Sequence, residues 1–146
     1  MRPTIPTVLF IAAIVPAGGC FPATQVMVPA LSGEVVDYAG RPVPGAVVEV
    51  YPKPGEPNAT RAKEFSAQFA AGPDGRFARP ARVRWLMHMV PGDVYAPVLL
   101  VRARSGAAES PAQEVSAAPG VALFGLGKTP QKSDLGQLRL EPSFPP

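Results

Sequence analysis

The chain has 146 residues, of which 20 are proline and 14 are glycine, and 47% are apolar. Because proline and glycine both destabilise the interior of a helix, this composition excludes a helical bundle, and the apolar content suffices for one compact domain. A single cysteine excludes an internal disulfide, a single histidine argues against most metal and triad chemistry, and a net charge of +3 gives no indication of a nucleic-acid partner.

The N-terminus has the layout of a secretory signal peptide. Arg2 supplies a positive charge, and an uncharged run rich in valine, leucine and isoleucine follows over residues 5–15. This run is shorter than the roughly 20 residues that a membrane-spanning helix needs. We therefore predict that residues 1–19 are a signal peptide and are removed.

Small residues lead directly into the one cysteine of the chain. The motif Ala17-Gly18-Gly19-Cys20 resembles a bacterial lipobox, with Ala17 where that pattern usually has leucine. The resemblance implies that the Cys20 thiol is diacylated and that Cys20, as the new first residue, is acylated again on its amino group. A lone cysteine in a chain bound for an oxidising compartment has no disulfide partner to explain it, which favours lipidation. The alternative is an incidental thiol beside an ordinary signal-peptidase site or an uncleaved anchor.

The predicted anchor also indicates a cellular location. Two or three acyl chains bury far more methylene than a single chain does, so membrane attachment would be permanent. Phe21 stands where inner-membrane lipoproteins often carry aspartate, which implies the outer membrane, with the domain facing the periplasm. Residues 20–30 contain two prolines and no charge, and we interpret them as a lipidated tether.

From residue 31 onward, short β-rich runs alternate with turn residues. Helix-forming residues occur over 59–71, but the alternation of Phe65, Ala67 and Phe69 with their neighbours favours a hairpin that turns at Gly72-Pro73-Asp74-Gly75. The other predicted strands cover residues 31–37, 46–51, 83–90, 94–104, 121–126 and 135–140. Six or seven short strands indicate an all-β fold, an antiparallel β-sandwich over residues 31–140, before a disordered tail at 141–146.

One predicted strand carries a candidate metal site. His88 lies between Met87 and Met89, and thioethers with an imidazole suit copper. Alternation along a strand places both methionines on one face and His88 on the other, which argues against a common ion. We therefore predict that Val83, Trp85 and the two methionines face the core, and that the protein has no metal and no other cofactor.

Arginines are concentrated mildly in the middle of the chain. In the run 94–104, Leu99 and Val101 are predicted to face the core while Arg102 faces solvent. A common face of such residues would suit anionic lipid head groups or cell-wall polymers, although arginines on the wet side of a sheet explain them equally well. The arginines concerned are Arg76, Arg79, Arg82, Arg84, Arg102 and Arg104.

The sequence also argues against nucleotide binding and against catalysis. Gly127-Lys128-Thr129 matches the end of a phosphate-binding loop, but Ala122 stands where the signature requires glycine and Pro130 prevents the helix that should follow. We interpret this segment as a glycine-rich loop. With no Gly-x-Ser-x-Gly elbow and a single histidine, the chain offers no nucleophile with its base, so we predict that it is not an enzyme.

Three blocks of sequence resemble a known family. Residues 31–37 with 40–50, which contain Gly-Arg-Pro-Val-Pro-Gly, resemble the opening of carboxypeptidase regulatory-like domains. The later Gly72-Pro73-Asp74-Gly75 turn with Arg-Phe, and residues 134–140, resemble a hairpin and the last strand of that family. The resemblance implies a transthyretin-like β-sandwich of the kind that is usually non-catalytic and attached to enzymes or transporters, or displayed alone on a bacterial envelope.

The sequence thus predicts a non-catalytic, lipid-anchored envelope protein that displays a β-sandwich as an accessory or interaction module. Its partners would be the membrane, through Cys20, and an envelope protein or a cell-wall polymer. Two alternatives stay open. One is a small-ligand-binding protein or enzyme that uses the less patterned segment 105–134, and the other is a secreted soluble β-sandwich.

Overall fold

The computed structural model describes residues 21–55, 63–88, 97–116, 122–123 and 132–142. A short 3-10 helix, Lys63–Phe65, is the one helical element in this part of the chain, which is all-β as predicted. Its strands are β1 (Phe21–Val28), β2 (Ala30–Val36), β3 (Val47–Pro52), β4 (Ala67–Ala70), β5 (Arg76–Arg79), β6 (Arg82–His88), β7 (Val98–Ser105), β8 (Ala108–Glu109), β9 (Gln113–Ser116), β10 (Ala122–Leu123), β11 (Lys132–Arg139) and β12 (Glu141–Pro142).

The strands form three sheets around one core. Strand β1 lies between β10 and β6, strand β2 lies between β11 and β5, and the largest sheet has the order β12-β8-β7-β3-β4, with β9 also paired to β7. The predicted β-sandwich is confirmed, because side chains of β2 and β11 join those of β3 and β7 in a single apolar cluster. Its most deeply buried members include Leu31, Val35, Val48, Val50, Leu99, Val101 and Leu138.

Strand β7 shows how the sequence pattern produces this packing. Leu99, Val101 and Ala103 are fully buried, while the intervening Leu100 and Arg102 are only partly buried. Successive residues of a strand point to opposite faces, so this alternation places one face of β7 in the core. The prediction for this strand is confirmed.

The pairing of β11 differs from an all-antiparallel sandwich. This strand runs parallel to β2, with Ser133 opposite Leu31 and Leu138 opposite Val35. Gly136, at a φ of +60°, lies where the register shifts, and its backbone N–H donates to Asp134. Buried side chains of β11 fix which face is inward, but not the direction in which the strand runs.

The predicted hairpin at residues 72–75 is wrong in its pairing. The turn itself forms, since the Gly72 N–H donates to the Arg76 carbonyl at 2.7 Å. Strand β4 before it pairs with β3, however, and strand β5 after it pairs with β2. The turn therefore carries the chain from one sheet to the other, and the rings of Phe69 and Phe77 meet with centroids 5.7 Å apart.

The N-terminal residues of the described part belong to the fold. We expected residues 20–30 to be a tether, but Phe21–Val28 form strand β1, and Met27 and Val28 are buried. Burial of these two large apolar side chains holds the strand in place, which explains why the segment is not a free tether. Pro22 of this strand lies opposite Met87 of β6.

Short strands also occupy segments that we predicted to be irregular. Within residues 105–134, strands β8 and β9, which we did not predict, both pair with β7. Strand β10 lies within the predicted strand 121–126 and pairs with β1. Strand β12, in the predicted tail, pairs with β8. Strands β8 and β12 have two residues each and β9 has four, so they offer little or no periodicity to detect, which explains why the sequence pattern did not indicate them.

The turn after β2 is organised by Asp37. Its Oδ1 accepts hydrogen bonds from the backbone N–H groups of Ala39 and Arg41, both at 2.9 Å, and its Oδ2 accepts one from the Arg41 side chain at 2.8 Å. These bonds, led by the Arg41 backbone N–H, lower the pKa of Asp37. Tyr38 in the same turn is 70% exposed.

Gly75 is required by a close approach between two loops. It has a φ of +75°, and a Cβ atom there would lie 2.9 Å from both the Pro42 Cβ and the Val35 carbonyl oxygen. The Val35 N–H donates to the Gly75 carbonyl at 2.8 Å, and the Val43 N–H donates to the Val35 carbonyl at 2.9 Å. The two loops whose sequences carry the family resemblance are therefore joined through the end of β2.

Candidate functional site

The predicted lipidation site adjoins the first strand. Cys20 and the predicted signal peptide lie outside the described residues, but the next residue, Phe21, already belongs to β1 and is the partner of His88 in β6. A strand rises about 3.3 Å per residue. An anchor on Cys20 would therefore lie one residue from the sheet of β10, β1 and β6.

Strands β1 and β6 are neighbours in the β10-β1-β6 sheet and form a ribbon with an exposed outer face. Thr24 is the partner of Trp85 and Val26 is the partner of Val83, and partners in an antiparallel pair project from the same face. Trp85 is 65% exposed and Val83 is 48% exposed. Our prediction that these two side chains face the core is therefore wrong. We call these four residues the outer ribbon face.

The opposite face of the ribbon packs on the body of the domain. Gln25 and Met27 are buried there, and Arg84, the partner of Gln25, forms an ion pair with Glu64 at 2.7 Å. Arg82 donates to the backbone carbonyl of Glu64 and to that of Ser66 at 3.1 Å. The sequence pattern thus separated the two faces of β6 correctly but reversed which one is covered.

The candidate copper site lies partly outside the described residues. Met87 and His88 belong to β6, but their side chains, like the whole of Met89, lie outside the described residues. Over the described ranges, no group of three His, Cys, Asp or Glu side chains is placed to hold a metal ion.

A second candidate site is a charged network on the outer face of the largest sheet. Glu49 of β3 and Arg102 of β7 are cross-strand partners and pair at 3.1 Å. Arg104 reaches the second oxygen of Glu49 at 3.0 Å, and Arg102 also pairs with Glu109 of β8 at 3.1 Å. The Arg102 guanidinium lies 5.3 Å from the centre of the Tyr51 ring. We call these five residues the Glu49 network.

The Glu49 network borders an open groove of about 570 Å³, whose lining includes Ser66 and Gln68. Its charged groups are bound to one another, and the hydrogen bond to Glu49 raises the pKa of Arg102 further. Opposite charges on neighbouring strands stabilise the pairing of those strands. The network therefore holds β3, β7 and β8 in register.

The energetics of the Glu49 network can be tested by comparing its two arginines. We expect R102A to lower the free energy of unfolding by about 1 kcal/mol, because Arg102 contacts Glu49, Glu109 and the Tyr51 ring. The matched variant R104A removes one more exposed pair and should cost less than about 0.5 kcal/mol. Urea denaturation measures both, and an equal or larger loss for R104A would contradict this account.

The six arginines singled out in the sequence do not share one face. They lie in pairs on strands of three different sheets. Arg79 of β5 places its guanidinium 5.0 Å from the centre of the Phe69 ring, while the arginines of β6 and β7 have the partners described above. The remaining member, Arg76, is the cross-strand partner of Glu34. A single basic surface built from all six is therefore not formed.

Two further points concern the glycine-rich motif and membrane-spanning helices. The motif Gly127-Lys128-Thr129 lies outside the described residues, while Ala122 belongs to β10. In the part of the chain that the structure describes, no helix is long and apolar enough to cross a membrane.

Comparison with known proteins shows a distant structural similarity. No family model matches the chain, and no curated protein matches it either. The structure is similar to that of a 3-chlorocatechol 1,2-dioxygenase from Rhodococcus opacus 1CP, with 13% identity and a TM-score of 0.41. The match covers 81% of this chain and 60% of the dioxygenase chain. A similarity of this size carries no argument about activity, and the fold defines the chain as an all-β protein of the sandwich type.

Proposed function

We propose that this chain is a non-catalytic, lipid-anchored protein of the bacterial envelope that displays its β-sandwich as an accessory or interaction module. Acyl chains on Cys20 hold it to the membrane, at the outer membrane with the domain facing the periplasm. The observation that carries the proposal is the position of Cys20, which ends an apolar leader and directly precedes the first strand, at Phe21.

The position of the cleavage site is compatible with the fold. Removal of residues 1–19 takes away no residue of strand β1, so the processed chain keeps every strand that the structure describes. Each buried methylene contributes about 0.8 kcal/mol to membrane affinity, so two or three acyl chains give lasting attachment. The processed protein would be a complete sandwich fused to its anchor without a linker.

The segment 105–134, the basis of the alternative ligand-binding or enzymatic function, contributes strands β8 and β9 to the edge of the largest sheet. Strands β8, β9 and β10 of this segment are thus paired with β7 or β1. The module would bind its partner, an envelope protein or a cell-wall polymer, through a surface of the sandwich.

The lipid anchor is tested by metabolic labelling with a clickable fatty acid in an expressing bacterium. We expect the wild type to incorporate the label and to sediment with membranes, and C20S to incorporate no label, because Cys20 carries the one thiol of the chain. The control variant A17L brings the leader closer to the lipobox pattern and should raise the labelled fraction. Label that persists in C20S, or a wild type that is secreted unlabelled, would refute the anchor.

A further inference from the structure

We propose that the outer ribbon face, formed by Thr24, Val26, Val83 and Trp85, lies against the lipid bilayer and sets the orientation of the domain on the membrane. This inference rests on the proposed lipid anchor at Cys20. It adds a second membrane contact, made by side chains of the folded domain itself.

The connection between Cys20 and the ribbon limits where this face can be. Strand β1 begins at Phe21, so Thr24 lies at most roughly 13 Å from Cys20 along the extended chain. Trp85 is the cross-strand partner of Thr24, about 5 Å further. A domain anchored at Cys20 therefore keeps Trp85 within a short reach of the bilayer surface in every orientation.

The composition of the face favours the orientation in which the ribbon lies flat. Head groups form a layer of only about 5–8 Å on each side of the hydrocarbon core, so an upright β1 would carry Trp85 beyond it. A ribbon lying on the membrane places Trp85 and Val83 within this layer, where the amphipathic indole ring is favoured. None of the four residues is charged, and Glu64 lies on the opposite side of the ribbon with Arg84.

The position of the face favours a bilayer over a protein partner. Its described side chains are the exposed Val83 and Trp85 and the partly buried Thr24 and Val26, and they lie on the strand that follows Cys20 and on its neighbour. A weak contact is sufficient for a surface that is already tethered, because the tether raises the effective concentration of the membrane beside it. The occupant that suits a small apolar face one strand from an acyl anchor is therefore the lipid surface.

Trp85 is the one tryptophan of the chain, so its fluorescence reports directly on this contact. The lipidated protein, which begins at Cys20, is reconstituted into vesicles of phosphatidylethanolamine and phosphatidylglycerol. We expect emission at shorter wavelength than for C20S protein produced without residues 1–19 in buffer, quenching by brominated lipid, and a roughly twofold weaker quenching by aqueous acrylamide. The matched control W85F/Y38W moves the tryptophan to the exposed turn after β2 and should escape the brominated lipid.

The outcomes separate this inference from the anchor itself. Protein that floats with the vesicles but keeps Trp85 open to acrylamide and unquenched by brominated lipid would overturn the membrane-facing ribbon and leave the anchor intact. Protein that carries no lipid and does not float would overturn both. Shielding of Trp85 in soluble C20S, together with a dimeric mass, would assign the face to a second copy of the chain and would also overturn the inference.

Discussion

Replacing Gly75 with alanine is expected to lower the free energy of unfolding by about 3 kcal/mol or more. Gly75 has a φ of +75°, which is strained for any residue with a side chain. The added Cβ would also meet the Pro42 Cβ and the Val35 carbonyl oxygen at 2.9 Å. The Val35 carbonyl belongs to a strand whose Val35 N–H is bonded to Gly75, and the Pro42 Cβ is part of a closed ring, so the clash cannot be relieved by rotating a side chain.

Gly106 provides the matched control for this prediction. It has a similarly positive φ of +59°, but a Cβ atom there would meet nothing within 4 Å. G106A should therefore show only the conformational cost, about 1 kcal/mol. Chemical denaturation of both variants separates close approach from backbone strain. Equal losses for G75A and G106A would mean that the loops joined by Gly75 are not packed as described.

The second large effect is expected inside the core, on strand β7. L99A should lower the free energy of unfolding by about 2–5 kcal/mol, because Leu99 is fully buried and the lost side chain leaves a cavity between the sheets. The adjacent L100A makes the same chemical change on the opposite, partly exposed face and should cost less than about 1 kcal/mol.

Thermal and urea unfolding of the two leucine variants measure the inward face of β7 directly. The comparison holds residue type, strand and deletion size constant and changes only the side of the sheet. A larger loss for L100A than for L99A would place the register of β7 one residue away from that described here.

The same two-residue pattern predicted β7 correctly and β6 incorrectly, and the difference is physical. Strand β7 is covered on its apolar face by the core, so Leu99 and Val101 lie inward. Strand β6 is an edge strand of the β10-β1-β6 sheet, and its inward face carries Arg84 because Glu64, twenty residues earlier, provides an ion pair. Alternation defines two faces of a strand, but a distant partner decides which of them is covered.

Other differences arise from pairings between residues far apart in the chain. A strong turn at residues 72–75 was visible in the sequence, but the choice of β2 and β3 as the neighbours of the flanking strands depends on the tertiary structure. The parallel pairing of β11 with β2 likewise joins strands about 100 residues apart. We interpreted residues 20–30 as a tether because of their prolines, whereas burial of Met27 and Val28 makes this segment a strand of the fold.

For the candidate site, the sequence predicts the residue and the structure supplies its surroundings. Lipidation of Cys20 stays a prediction from the leader and the motif before it. The start of β1 at Phe21 could not be predicted, because Phe21 to Val28 shows no regular alternation. The exposure of Trp85 had one signal in the sequence, since arginines at positions 82 and 84 and nearby prolines are typical of an edge strand.

The most direct test of the account is the intact mass and N-terminal peptide of the protein isolated from bacterial membranes. We expect a chain that begins at Cys20, with a diacylglyceryl group on the sulfur and, where the host N-acylates its lipoproteins, a further acyl chain on the amino group. A chain that begins at another residue, or that begins at Cys20 with a free thiol, would contradict it.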